Sequence, residues 1–289
     1  GAIVNLRRRE VAPGLVLDDG RLALTANADL ADPLLTLRCA RVAAEHGAYL
    51  QRGSLERLVE NAPTLEVPWS EEAREMFVAL LATGPSAIPI IEDLDHVGLF
   101  VQLVPEWEPC RSRPQRNAYH RFTVDRHLME AAAEASRLVD RVDRPDLLLV
   151  GALFHDIGKG YPGDHTEVGV DLLQTIATRM GFDADDVETL VAMVQHHLLL
   201  PDVATRRDLD DDGTIASVAD AVGSSRLLHL LGALTEADSI ATGPSAWSSW
   251  KGGLVNELVS RVSHVLAGGD VGEVVGGSFP DAEQRLLLD

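Results

Sequence analysis

The chain has 289 residues, of which 46% are hydrophobic, so it is long enough to bury the core of one large domain or two modest ones. It carries 25 basic and 45 acidic residues, a formal net charge of -20. This charge argues against a nucleic-acid or anionic-membrane partner, because both require a positive surface. The two cysteines, Cys39 and Cys110, lie far apart and predict a reduced, cytoplasmic protein without a disulfide framework. No apolar run reaches the roughly 20 residues that span a bilayer.

The N-terminal region combines a charge run with a predicted hairpin. The first ten residues, GAIVNLRRRE, contain no signal-peptide apolar region, and a first residue other than Met predicts a fragment of a longer protein. Their basic run predicts only a solvated segment. Leu15–Leu24 has the sequence LVLDDGRLAL, whose Asp-Gly dipeptide between apolar residues predicts a β-hairpin. It is the one good strand signal in the chain.

Every later element is predicted to be helical, from capping residues, apolar spacing and helix-ending glycines and prolines. In the first half, Ser70 is a predicted N-cap, the helices cover 33–47, 70–84 and 85–98, and a proline-rich irregular linker covers 104–119. In the second half, Thr123 is a predicted N-cap, and the helices cover 123–139, 145–156, 165–181, 183–197, 214–222, 224–241 and 247–269. The Gly-rich tail, 270–289, is predicted to be mobile.

Five polar residues fall on the apolar faces of five predicted helices, since residues three, four and seven apart share one side of a helix. They are His127, His155, His165, His197 and Asp238. A single histidine on such a face is more often a hydrogen-bonded core residue than a ligand. Asp238 is harder to explain, because a buried carboxylate needs a charge partner and no Lys or Arg shares its face. One shared metal ion would supply that charge, and imidazoles with carboxylates suit Mn, Fe, Zn or Mg.

The adjacent pair His155 and Asp156 lies near the end of a predicted helix that Gly158 interrupts. Neighbouring helical positions point about 100° apart. The pair is therefore expected to contact one ion from two sides or to bridge two ions. The loop after Lys159 then returns the chain to His165.

The order of these residues resembles the HD superfamily of metal-dependent phosphohydrolases. More specifically, the chain is similar to the HD domain of the bifunctional uridylyltransferase/uridylyl-removing enzymes, over roughly 29–267. The stretches that carry this resemblance are HRFTVDRH (120–127), ALFHDIGKGYPGDHTEVG (152–169), VQHHLLLP (194–201), LTEADSIAT (234–242) and WSSWK (247–251). The resemblance implies one or two divalent ions, with Mn, Mg or Fe expected in preference to Zn. It implies metal ligands at His127, His155, Asp156, His165, His197 and Asp238. His196 is left as a neighbour without a role.

The resemblance also implies a reaction and a partner. The expected activity is hydrolysis of the tyrosine-O-uridylyl phosphodiester on the PII nitrogen-regulatory protein, releasing UMP. Lys159 is expected to hold a phosphate oxygen, and His120 to contact substrate or donate a proton. Uridylyl transfer is expected to be absent, because Asp93–Asp95 lacks the Gly-Gly or Gly-Ser turn that precedes the family's Asp-x-Asp pair. The small regulatory domains are also missing from the expected pattern, so the family's effector, glutamine, has no predicted site here.

The predicted fold class is mainly α, an HD-domain helical bundle with a short N-terminal β-hairpin. The expected divisions are 1–64, the trailing edge of a nucleotidyltransferase domain; 65–118, a helical linker; 119–267, the HD phosphohydrolase domain; and 268–289, a flexible tail. Two alternatives stay open at this point. One is an HD phosphohydrolase or phosphodiesterase acting on a free nucleotide, and the other is a non-enzymatic, metal-binding regulatory HD domain.

Overall fold

A computed structural model describes residues 8–115 and 121–270 of the chain. Within these residues the fold is mainly α-helical, with one small sheet near the N-terminus. The predicted fold class is therefore confirmed. The predicted division into four segments stays a prediction.

The N-terminal sheet has four strands in the order β1-β2-β3-β4. They are β1 Arg8–Ala12, β2 Leu15–Asp18, β3 Arg21–Leu24 and β4 Tyr49–Leu50. The predicted hairpin joins β2 and β3, and both turn residues, Asp19 and Gly20, have the positive φ that an Asp-Gly hairpin turn requires. The outer strands were not predicted, because β1 lies on an exposed edge with a charged sequence and β4 pairs over only two residues.

Three of the first five helices were predicted, and those over 52–61 and 99–103 were not. The five are α1 Leu35–Glu45, α2 Arg52–Asn61, α3 Glu71–Ala82, α4 Ala87–His96 and α5 Leu99–Leu103. Ser70 accepts a hydrogen bond from the backbone N–H of Ala73, which confirms it as the N-cap of α3. In the described part of the chain no single helix is long and apolar enough to cross a membrane; α3 and Gly84–His96 pass that test only as a pair bent by 108°.

The remaining helices form the bundle that carries the predicted ligands. They are α6 Val124–Ala135, α7 Pro145–Phe154, α8 His165–Arg179, α9 Ala184–His196, α10 Leu199–Arg206, α11 Asp212–Val222, α12 Ser225–Thr242 and α13 Ser249–Leu266. Thr123 occupies the N-cap position of α6 but its side chain makes no capping bond, so that detail of the prediction is wrong. Helix α10 was missed because Pro201 was taken as a stop. Pro201 lies in the first turn, where backbone N–H groups have no helical partner to lose.

Helix α7 lies at the centre of the bundle, packed against α6, α9 and α12. All its residues from Leu147 to Phe154 are buried, as expected for a helix that is apolar on every side. The helix ends at Phe154, two residues before the predicted end. The next two residues, His155 and Asp156, therefore lie inside the protein, where they are 0% and 2% exposed.

A segment that we call the strap, residues 105–115, crosses the end of α7. It begins with a 3-10 turn, Pro105–Cys110, so part of the predicted linker is ordered. Trp107 in this turn is fully buried and packs edge-on between Phe100 of α5 and Phe154 of α7, with ring centroids 5.0 and 6.4 Å away. The strap thus connects the first group of helices to the residues that precede His155.

Glu106→Gln is expected to destabilise the folded protein by about 1–3 kcal/mol at pH 7, since a charge-assisted hydrogen bond is lost in a site with little water. The Glu106 side chain is 12% exposed and pairs with Arg179 of α8. Burial raises the Glu106 pKa, but the Arg179 guanidinium outweighs it and holds the pKa below its ordinary value. A lowered folded-state pKa contributes stability above the unfolded pKa of about 4.3 and loses it as pH falls through the folded value.

Urea unfolding of wild type and Glu106→Gln at pH 7 and pH 3.5 measures the loss of stability. The difference in their free energies of unfolding is expected to be smaller at pH 3.5. Glu56→Gln is the matched control, because Glu56 pairs with Arg52 on the surface and is 59% exposed; it is expected to change stability little. A Glu106→Gln protein as stable as wild type at pH 7 would contradict the assigned ion pair.

Candidate metal centre

The structure brings all six predicted ligands into two adjoining groups. One group is His127, His155, Asp156 and Asp238, and the other is Asp156, His165 and His197. Within each group the candidate ligand atoms all lie within 4.8 Å of one another. Asp156 belongs to both groups, so the arrangement is suited to one ion or to a bridged pair.

Helix ends, more than helix faces, position these side chains. His165 is the first residue of α8, and His197 is the C-cap of α9. His155 is the C-cap of α7, and Asp156 precedes a 3-10 turn, Ile157–Gly160. The expectation that His155 and Asp156 point from a continuous helix is therefore wrong. His127 on α6 and Asp238 on α12 do lie within helices, as predicted.

Gly158 allows this turn to contact the start of α8 closely. A Cβ atom on Gly158 would lie 2.0 Å from the carbonyl oxygen of His165 and 2.8 Å from the backbone nitrogen of Gly169. Both are backbone atoms, which cannot move aside alone. A side chain here would separate the turn that follows Asp156 from the helix that carries His165, so Gly158 does more than end α7.

Backbone carbonyls fix the orientation of two imidazoles. His155 Nδ1 lies 2.8 Å from the oxygen of Ala152, and His197 Nδ1 lies 2.6 Å from the oxygen of Val194. A carbonyl only accepts hydrogen bonds, so each Nδ1 donates and each ring, when neutral, presents the lone pair of Nε2. Both Nε2 atoms face the centre, which is the arrangement of a metal-binding histidine.

The two oxygens of Asp156 face different groups. His155 Nε2 lies 3.4 Å from Oδ2 of Asp156 and 3.3 Å from Oδ1 of Asp238. His127 Nε2 lies 3.0 Å from the same Asp238 oxygen. On the other side, Oδ1 of Asp156 lies 3.7 Å from His165 Nε2 and 3.5 Å from His197 Nε2. Asp156 therefore separates the two groups with one oxygen toward each.

The buried polar atoms of the centre fit a metal ion. Among the described residues, His155 Nε2, His197 Nε2 and Asp156 Oδ1 are buried without a well-formed hydrogen bond. His155 is 0% and Asp156 2% exposed, and a buried polar group left unsatisfied costs about 1–3 kcal/mol. An ion contacting these atoms would replace the missing partners. Imidazole with carboxylate ligands suits Mn, Fe or Zn more than it suits Ca.

Charges in the centre are strongly coupled. Burial opposes the charged form of His155, but the carboxylates of Asp238 and Asp156 outweigh it and raise the His155 pKa to about 10. Burial likewise disfavours the Asp156 carboxylate, yet His155, Lys159 and His197 hold its pKa well below the ordinary value. Without metal, the His155 imidazolium thus supplies the counter-charge for Asp238 that the sequence lacked. A metal must displace that proton, so its binding is coupled to pH.

A cavity of about 550 Å³ opens onto both groups. Lys159 lines it and makes a short ion pair with Asp156 Oδ2, and its expected contact with a phosphate oxygen stays a prediction. His120 lies outside the described residues, and His196 is half-buried on α9. The sequence did not single out three other lining residues, Arg113, Gln115 and Thr242. Helical spacing from Asp238 would have indicated Thr242, whereas no pattern marks the other two in the strap.

Comparison with known proteins identifies the class first. Residues 124–224 match the family model of the HD domain, so the chain contains an HD domain, as the resemblance predicted. The chain is also 51% identical, over 97% of its length, to a bifunctional uridylyltransferase/uridylyl-removing enzyme of Streptomyces coelicolor. Enzymes of that name from Mycobacterium tuberculosis H37Rv and Corynebacterium glutamicum are 47% and 35% identical over 96% and 86% of the chain.

The chain spans about a third of these relatives, 34% of the first two and 36% of the third. The HD domain and the relatives' names together support an HD-type, metal-dependent phosphohydrolase. The His/Asp groups described above are able to hold the metal that this chemistry needs.

Proposed function

We propose that this chain hydrolyses the tyrosine-O-uridylyl phosphodiester of uridylylated PII in the cytoplasm, releasing UMP. The proposal rests on one open cavity that is lined by the shared Asp156, by His165 and His197, and by Lys159. Hydrolysis of a phosphodiester requires a cation that holds its anionic oxygens and a metal site that presents an activated water to its phosphorus. Lys159 and the His/Asp groups would supply these two features. The uridylyl-removing activity in the relatives' name supports the choice of leaving group.

The proposed ligands of a first ion are His127, His155, Asp156 and Asp238, and those of a second ion are Asp156, His165 and His197. A bound divalent ion supplies Lewis-acid activation of water and of the phosphoryl oxygens. The protein supplies the orientation, since the carbonyls of Ala152 and Val194 fix two of the rings. These assignments account for the buried atoms that lack hydrogen bonds.

Lys159 is proposed to bind a non-bridging phosphate oxygen. Its ammonium lies beside Asp156 at the cavity wall and its side chain is 25% exposed, so a substrate anion can reach it. A point charge at this place would hold the phosphodiester in position and offset charge that develops on its oxygens. The leaving group is a tyrosine phenolate, with an ordinary pKa of about 10, and it needs less proton donation than an aliphatic alkoxide. His120 remains proposed as a donor or substrate contact.

A free nucleotide is the second candidate substrate. The cavity of about 550 Å³ lies within the range of about 300–1,000 Å³ that small-molecule sites occupy. A protein substrate instead requires access to the mouth of the cavity, where Leu198 is 42% exposed. The two candidates therefore differ in whether hydrolysis depends on folded PII.

The test offers three kinds of substrate, in separate reactions that all contain Mn. Uridylylated PII is expected to yield UMP, and EDTA is expected to abolish the yield. Cyclic and linear nucleotides are expected to react far more slowly, and UTP with unmodified PII is expected to give no labelled PII. Turnover of a free nucleotide without PII cleavage would favour the second candidate. Failure to release UMP from metal-loaded protein would contradict the proposal.

A further inference from the structure

The strap is held rigidly against both sides of the candidate centre. Toward the 3-10 turn that follows Asp156, Cys110 Sγ contacts the oxygen of Ile157 at 3.3 Å, and Arg113 Nη1 donates to the oxygen of Gly160 at 2.7 Å. Toward α6, which carries His127, the backbone N–H of Ser112 donates to Asp125 Oδ2 at 2.7 Å. The N–H of Val124 donates to the oxygen of Arg113 at 2.8 Å. The backbone just before Gln115 is therefore fixed at several points.

Gln115 extends from this fixed backbone to the cavity. Its Oε1 accepts a hydrogen bond from Lys159 Nζ at 3.3 Å, and its Nε2 donates to the oxygen of Phe122 at 3.4 Å. The second bond fixes the orientation of the amide, because the nitrogen is committed to a carbonyl and the oxygen is turned toward the lysine. Lys159 also contacts Asp156, so its ammonium lies between a candidate ligand carboxylate and a neutral amide.

We propose that Gln115 is a positioning residue for Lys159, and that it holds the ammonium at the cavity wall where the phosphate of the substrate is bound. This inference rests on the proposed function, since it takes Lys159 as the group that contacts the substrate. Lysine has a flexible stem, and fixing it has an entropic cost. An acceptor that is already in place reduces the part of that cost that falls on substrate binding.

The Gln115 side chain is neutral, and its neutrality matters for binding an anionic substrate. An amide oxygen orients the ammonium and adds no negative charge to that of Asp156, which already pairs with it. A carboxylate at the same position would keep the geometry but would compete with the substrate anion for the lysine. Gln115→Glu is therefore expected to be as harmful as Gln115→Ala, or more so. A residue that only packs would tolerate the nearly isosteric Glu.

The experiment is a double-mutant cycle between Gln115→Ala and Lys159→Met, which separates an effect through the lysine from an independent one. Two readouts are measured with Mn-loaded protein: hydrolysis of bis(p-nitrophenyl) phosphate, a generic phosphodiester, and the Kd of UMP by calorimetry. Gln115→Ala is expected to weaken UMP binding and to raise KM by about tenfold, the scale of one hydrogen bond to a charged group. In the Lys159→Met background it is expected to change either quantity less than about twofold.

Two controls exclude a general structural effect. Gln102→Ala removes an exposed glutamine from α5 and is expected to leave both readouts unchanged. The Kd of Mn alone is expected to be the same in wild type and in Gln115→Ala, because the ligand groups are intact. A loss of Mn affinity in Gln115→Ala would indicate a disturbed centre and would overturn the positioning role.

Three further results would also overturn it: an unchanged Gln115→Ala protein, wild-type UMP affinity and KM in Gln115→Glu, or an equal effect of Gln115→Ala in both backgrounds. The fate of the proposed function is read separately. A wild type that hydrolyses no phosphodiester contradicts that function, and the UMP binding cycle still decides the role of Gln115. An active wild type with an inert Gln115→Ala change contradicts this inference alone.

Discussion

Replacing either His155 or Asp156 with alanine is expected to lower phosphodiester hydrolysis by about a thousandfold or more. Both side chains are buried, and Asp156 has one oxygen toward each group of candidate ligands. Losing either removes several kcal/mol of the charge stabilisation that a metal provides, and each 1.36 kcal/mol is a factor of ten in rate. Steady-state kinetics with Mn and uridylylated PII measure the effect.

The double variant gives the sharper result. Residues that hold one centre act as a unit, so His155→Ala with Asp156→Ala is expected to cost little more than the worse single change. Asp171→Ala, an exposed aspartate on α8, is the control and is expected to keep full activity. Circular dichroism confirms that each variant is folded. Turnover near wild type in either single variant would place the metal chemistry elsewhere.

Asp238→Asn is expected to destabilise the metal-free protein near pH 6 by about 1–3 kcal/mol. Oδ1 of Asp238 lies 3.0 Å from His127 Nε2 and 3.3 Å from Nε2 of the charged His155 ring, and both contacts favour the carboxylate over a neutral amide. Burial raises the pKa of Asp238, but these histidines outweigh it and lower the pKa far below the ordinary value. That contribution is present above about pH 4, the unfolded value.

The pH above which Asp238 no longer stabilises the fold is set by the pKa of His155. Its pKa is raised to about 10 in the folded protein, against about 6.5 unfolded. The stabilisation is therefore complete below about pH 6.5 and is lost as pH rises toward 10. In EDTA, the difference in free energy of unfolding between wild type and Asp238→Asn is expected to be smaller at pH 9.5 than at pH 6.

Bound metal is expected to increase the difference in stability between wild type and Asp238→Asn. Wild type gains about 2.7 kcal/mol when Mn is at a hundred times Kd, and the Asn variant is expected to gain less because its ligand is neutral. Thermal melts in EDTA and in Mn, at pH 6 and pH 8, provide the comparison. Asp220→Asn, on the exposed face of α11, is the control. An Asp238→Asn protein that matches wild type in EDTA and gains equally from Mn would exclude Asp238 as a ligand.

Helical periodicity alone singled out five of the six candidate ligands, all except Asp156. It placed His127 and Asp238 on apolar helix faces, where His127 is buried and Asp238 is partly buried. The same rule brought His155, His165 and His197 inward, although these three occupy helix ends. A polar residue on an apolar face is directed toward the core whether or not the helix continues past it, so the rule also finds residues at helix ends.

Other features depend on contacts between distant segments, which no local pattern records. The His155–Asp238 contact joins α7 to α12 and reverses the expectation that Asp238 lacks a counter-charge. The strap was predicted as an irregular linker from its prolines, yet Gln115 meets Lys159 across 44 positions of the chain. Strand β4 likewise exists only because Tyr49 and Leu50 pair with β3. Such contacts depend on tertiary packing, which sequence periodicity does not report.

Anomalous diffraction from a crystal of the Mn-loaded protein tests the central claim, that these six side chains form a metal centre. We expect an Mn peak within ligand distance of His127, His155, Asp156 and Asp238. We also expect any second peak to lie on the other side of Asp156, beside His165 and His197. An Mn peak elsewhere in the protein, with none between these residues, would contradict the account.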